Sequence, residues 1–109
     1  MQLARVRGNV VASIKAAGLA SHKLLLLEPV AAADPLAAGE VPAEVADDRS
    51  RELYVAVDLV GAGVGEVVLV TLGSAARVAA DGQATPTDAA VVAIVDAVQL
   101  DGRSTFDKH

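Results

Sequence analysis

Leu53-Tyr54-Val55-Ala56-Val57-Asp58-Leu59-Val60-Gly61-Ala62-Gly63-Val64-Gly65-Glu66-Val67-Val68-Leu69-Val70-Thr71-Leu72 is the stretch on which the fold turns. Its first part alternates, placing Val55, Val57 and Leu59 on one side and Tyr54 and Asp58 on the other, and its β-branched content favours a strand. The segment Glu66 to Leu72 is again β-branched but apolar on both parities. Strand, glycine turn and strand together read as a β-hairpin. The glycines do not spell a dinucleotide fingerprint, because Glu66 stands where the third glycine would fall and a strand follows instead of a helix. No Walker-type lysine follows either. Glycines that allow positive φ in a tight turn account for the run.

Upstream of this stretch, Ala4, Val6, Gly8, Val10, Ala12 and Ile14 alternate with the mostly polar Arg5, Arg7, Asn9, Ser13 and Lys15, the pattern of a half-buried strand from Leu3 to Lys15. Lys23 to Val30 reads as a second strand, apolar on both parities and ended by Pro29, which lacks a ladder donor. From Ala31 to Arg51 the prolines, glycine and acids give the composition of a solvated loop. Downstream, Gly73 precedes Ser74 as the expected N-cap of a short alanine-rich helix that stops at Asp81-Gly82. Val91, Val92, Ile94, Val95 and Val98 then favour a last strand between Ala89 and Leu100, although periodicity alone also permits a helix.

Five strands, one short helix and no internal repeat imply a mainly β fold: a small five-stranded OB-like β-barrel with one short α-helix. The expected layout is a single barrel domain over 1–100, with a long loop at 31–51, followed by a polar C-terminal tail at 101–109. Leu24–Leu27, Val67–Leu72 and Val91–Val98 are apolar on both faces, whereas a solitary barrel needs a wet exterior. Either other subunits or the chain's own helix and loops must cover those outer faces.

Composition removes several functions. The chain has 109 residues, 53% of them hydrophobic before its nine glycines are counted, so the apolar share reaches roughly 60% against a typical ~45–50%. A net charge of −5 has the wrong sign for a nucleic-acid partner, and Tyr54 and Phe106 are too few aromatics for a base-stacking platform. There is no cysteine, which excludes disulfides, thiolate catalysis and cysteine-based zinc sites. Ala89 to Val95, among the longest apolar runs, is far below the ~20 residues that span a bilayer. Asn9, Ser13 and Lys15 interrupt any signal-peptide core, so the N-terminus reads as that of a cytoplasmic protein. Of the two histidines, His22 is expected on the surface and His109 is terminal, so no catalytic residue, metal site or cofactor is expected. Asp47 and Asp48, with Arg49 and Arg51, read as a solvated cluster. Asp58 and Asp96 interrupt apolar strands, and hydrogen bonds to turn backbone or exposure to solvent would keep them there.

Taken in order, Leu3-Ala4-Arg5-Val6 with Gly8-Asn9-Val10-Val11-Ala12, Lys23-Leu24-Leu25-Leu26, Val55 to Glu66, Gly73-Ser74-Ala75-Ala76-Arg77 and Asp88 to Asp96 resemble the bacterial microcompartment vertex proteins of EutN/CcmL type. The resemblance spans nearly the whole chain. Asn9 departs from it, standing where threonine or serine is common. The resemblance implies a five-stranded barrel assembling as a homo-pentamer that caps the vertices of a cytoplasmic protein shell, with hexameric shell proteins as partners. It further marks Gly61, Gly63, Gly65, Glu66, Gly73, Ser74 and Arg77 as candidates for the subunit interface or the five-fold axis, with Asp58, Glu66 or Asp96 of a neighbour as counter-charges for Arg77. The alternative is a monomeric OB-like binding module for a small ligand or protein segment.

Overall fold

A computed structural model of the chain describes residues 1–19, 22–36, 52–80 and 87–108. Strands β1 (Gln2–Val10), β2 (Lys23–Pro29), β3 (Tyr54–Asp58), β4 (Val67–Leu72) and β5 (Ala89–Ile94) close into a barrel in the order β1-β2-β3-β5-β4. Helix α1 (Ser74–Ala79) lies between β4 and β5 in the chain, and a single 3-10 turn at Ala17–Leu19 precedes β2. Beyond the barrel, β6 (Ala97–Leu100) and β7 (Arg103–Asp107) pair as a separate two-stranded sheet. The barrel and the short helix are those the sequence implied.

The barrel interior is filled by Ala4 and Val6 of β1, Leu25 and Leu27 of β2, Ala56 of β3, Val68 and Val70 of β4 and Val91 of β5, with Ala62 added from the β3–β4 connection. Alternation holds in β3: Ala56 lies in the core, while Val55 and Val57 face outward. Val57 and Ala90 are covered from outside by Ala76 and Ala80, with Leu19, Leu24 and Leu59 packed around them. Helix and 3-10 turn thus cover part of the oily exterior within one chain, but Val55, Leu72 and Val78 remain exposed.

Several local expectations are corrected. β3 and β4 do not form a hairpin: β3 pairs with β2 and, in parallel, with β5, while β4 pairs with β1 and β5. The later strand β5 inserts between them, because barrel closure satisfies the edges of both strands where a lone hairpin would leave two bare. The first strand stops at Val10, not Lys15, and the register slips between Val6 and Gly8. This bulge at Arg7 inverts the alternation, so Val10 lies opposite the outward Leu24, and Val11 and Ile14 are exposed beyond the strand end. The expected strand from Ala89 to Leu100 is broken at Val95-Asp96 into β5 and β6. The stretch read as a polar tail contains β7. Asp101 and Gly102, with φ of 52° and 76°, turn β6 into β7, as a two-residue turn with both φ positive requires. Gly73 occupies the N-cap in place of Ser74, with no side-chain cap. The helix stop at Asp81-Gly82, the loop from 37 to 51 and His109 lie outside the described residues.

Candidate functional site

Asp58 organises the connection between β3 and β4. Its Oδ1 accepts from the N–H groups of Val60 (3.1 Å) and Gly61 (3.0 Å), and its Oδ2 from that of Ala62 (3.0 Å). Three donors meet one buried carboxylate, as the need to satisfy a buried charge requires. The bonds fold the chain inward, so that Ala62 enters the barrel core. Gly61 and Gly65, at φ of 80° and 93°, take up the reversals this path demands. Gly65 then donates to the Val6 carbonyl at 2.8 Å, and Val6 donates to that of Glu66 at 2.9 Å, stitching the loop to β1.

Glu66 closes the loop from its other side. Its Oε1 accepts from the Gly63 N–H at 2.7 Å and its Oε2 from Lys108 Nζ at 2.8 Å. The Lys108 hydrogen bond, and next the Gly63 N–H, hold the Glu66 carboxyl below its ordinary range, while the bond to Glu66 raises the Lys108 ammonium. Lys108 N–H also donates to the Asp96 carbonyl at 2.8 Å, so the chain end after β7 is tied to the glycine loop. The Asp96 side chain is exposed.

The second candidate segment lies elsewhere. Glu66 immediately precedes β4 and Gly73 immediately follows it, so the strand's six residues put about 20 Å between the two groups. The structure unites Gly61, Gly63, Gly65 and Glu66 in one loop, and Gly73, Ser74 and Arg77 around one helix, but does not bring the groups together. Gly73, at φ 65°, donates to the Asp88 carbonyl at 2.8 Å, which anchors the start of α1 beside β5. Ser74 and Arg77 are exposed. Arg77 and Asp88 stand on the rim of an open cleft of about 430 Å³, whose apolar floor includes Leu19, Leu24, Val55 and Val57.

Two features escaped the sequence reading. Buried Glu28 on β2 accepts from Arg7 at 2.9 Å and lies 3.8 Å from Arg5, a cross-strand cluster on β1 and β2. Register alone brings these residues together, since Arg5 pairs with Glu28 across the ladder. Lys108 was the other omission, and the Asp101-Gly102 dipeptide was the signal that could have placed it in a hairpin. His22 is half-buried, its N–H bonded to the Leu19 carbonyl and its own carbonyl accepting from Lys15 Nζ. The Tyr54 hydroxyl accepts from the Gln2 amide, and burial raises its pKa. Among the described residues no group of three or more His, Cys, Asp or Glu could hold a metal ion. No described helix is long and apolar enough to cross a membrane.

The chain matches the family described as ethanolamine utilisation protein EutN/carboxysome over residues 1–96. It is 40% identical over 109 residues to the carboxysome shell vertex protein CcmL of Synechococcus elongatus, covering 100% of this chain and 97% of the relative. To the microcompartment shell vertex protein PduN of Salmonella typhimurium it is 47% identical over 96 residues, covering 88% and 96%. The solved structure of Gloeobacter violaceus CcmL superposes with a TM-score of 0.78 at 39% identity, covering 99% of this chain and 98% of that one. GrpN, a pentameric microcompartment shell protein from Rhodospirillum rubrum, superposes with a TM-score of 0.67 at 36% identity, covering 92% and 98%. By its family match and by relatives aligned along its whole length, this chain belongs to the EutN/CcmL family.

Proposed function

We infer that the chain is a structural vertex protein of a bacterial microcompartment shell, working as a homo-pentamer among hexameric shell proteins and catalysing no reaction. The observation that carries this is the end-to-end likeness to a named shell vertex protein, 40% identical over 109 residues. The superposition on a pentameric shell protein, at a TM-score of 0.67 and 36% identity, supports it as well.

The mechanism is geometric. Hexagonal tiles form a flat net that cannot close, and a five-fold block with tapered sides supplies the defect that turns sheet into container. What the chain must provide is a rigid wedge and complementary sides. Rigidity follows from the barrel closure and the Asp58-centred loop. Exposed apolar side chains on the outer wall, Val55, Leu72 and Val78 among them, fit burial against like subunits. We place Gly73, Ser74 and Arg77 at a subunit contact, since their surface is open, and give Gly61, Gly63, Gly65 and Glu66 the task of shaping one barrel end beside the five-fold axis.

Co-expression with hexameric shell proteins tests the reading. Electron microscopy should show closed polyhedra with the chain present, and open sheets or tubes without it. Equally closed shells in its absence would overturn the vertex role.

A further inference from the structure

We propose that in the ring the β6–β7 hairpin of one copy seats in the cleft beside α1 of the next, with Asp101 against Arg77 and Arg103 against Asp88. This rests on the pentameric reading above. A cyclic pentamer uses two different surfaces per subunit, each meeting the other on its neighbour. In the strand order β1-β2-β3-β5-β4 the β2–β3 seam lies across the barrel from β4. The cleft is floored by Leu24 of β2 and Val55 of β3, whereas the hairpin is tied to Glu66, just before β4, through Lys108. No residue of the hairpin lines the cleft, so groove and arm are two different surfaces of one subunit, as a head-to-tail ring requires.

Each surface is incomplete alone. A two-stranded hairpin is marginal in water without further packing. This one is held to its own chain by the Lys108–Glu66 pair and by Thr105 Oγ1 donating to the Ala32 carbonyl, and Leu100 beside its tip remains exposed. The cleft leaves Val55 44% exposed on its floor. Charges match as well: the hairpin tip carries Asp101 and Arg103, and the rim carries Arg77 and Asp88. All four are exposed, and none of their side chains has an ionic or hydrogen-bonding partner among the described residues. The carboxylates of Asp58 and Glu66 are already engaged within their own loop, which leaves Arg77 to find its counter-charge elsewhere.

The full chain tests this by sedimentation velocity across a concentration series. Arg77→Asp and Asp101→Arg should each weaken the pentamer about tenfold or more, and the double variant should regain most of the loss. A wild-type pentamer with both single variants dissociating like wild type would overturn the docking while leaving the vertex reading standing, as would a double variant no better than its parents. A wild type that stays monomeric throughout would overturn both. Because the chain lacks cysteine, Val55→Cys with Leu100→Cys gives a second measurement. Oxidation should yield a ladder of covalent oligomers up to the pentamer, and a persistent single band from a pentameric sample would contradict the contact.

Discussion

The two ends of β4 differ in how their polar groups are used. At the Glu66 end, Asp58 accepts from Val60, Gly61 and Ala62, Glu66 accepts from Gly63 and Lys108, Gly65 donates to β1, and Ala62 is drawn into the core. At the Gly73 end, α1 presents Arg77 and Val78 to solvent beside an apolar cleft. One end is bonded up within the chain, and the other is the surface proposed to meet a neighbour. Substitutions in the closed loop should therefore cost folding, and those around α1 should cost assembly.

The sharpest break is Asp58→Ala, which leaves three backbone N–H groups without their acceptor and should destabilise the fold by about 3 kcal/mol. A urea midpoint unchanged from wild type would show that the loop does not depend on its carboxylate. Next comes Gly65→Ala. The added Cβ meets nothing within 4 Å, so the cost comes from a φ of 93° alone, about 1–2 kcal/mol. Loss of much more would point to a contact the cleared space does not contain.

The Glu66–Lys108 pair makes a smaller, pH-dependent contribution. Glu66 is lowered from 4.5, so its contribution is present above that value and fades as pH falls through the lower folded value. Lys108 is raised from 10.5, so its share is complete below that value and fades as pH rises through the higher folded one. Hydrogen exchange at the Lys108 amide should accordingly gain, relative to the chemical rate, below the acid limb. Lys108→Ala should flatten the pH dependence of urea stability there, and an unchanged acid profile in that variant would count against the pair. Smallest is Val78→Thr at the open end. With Val78 74% exposed, the urea midpoint measured on dissociated chains should shift by less than the equivalent of about 0.5 kcal/mol.

Strand identity was readable where β-branching and alternation were strong, as from Tyr54 to Asp58 and from Val67 to Leu72. Their partners were not, because β5 follows both in the chain and inserts between them, and pairing across a barrel is decided by closure rather than by the turn between neighbours. The bulge at Arg7 was hidden because nothing in Val6-Arg7-Gly8 distinguishes an extra residue from continued alternation. Asp58 was legible as a turn acceptor, since an acid in an apolar strand needs donors and three followed in Val60, Gly61 and Ala62. Arg77 was marked by the family resemblance, but the cleft beside it is built from the 3-10 turn, β2, β3 and the two residues before β5, which only the folded chain brings together.

Native mass spectrometry of the purified full chain tests the central claim most directly. The account predicts a dominant ion series of five 11.0 kDa chains that persists on dilution to low micromolar concentration. A spectrum of monomers or dimers at every concentration would contradict it.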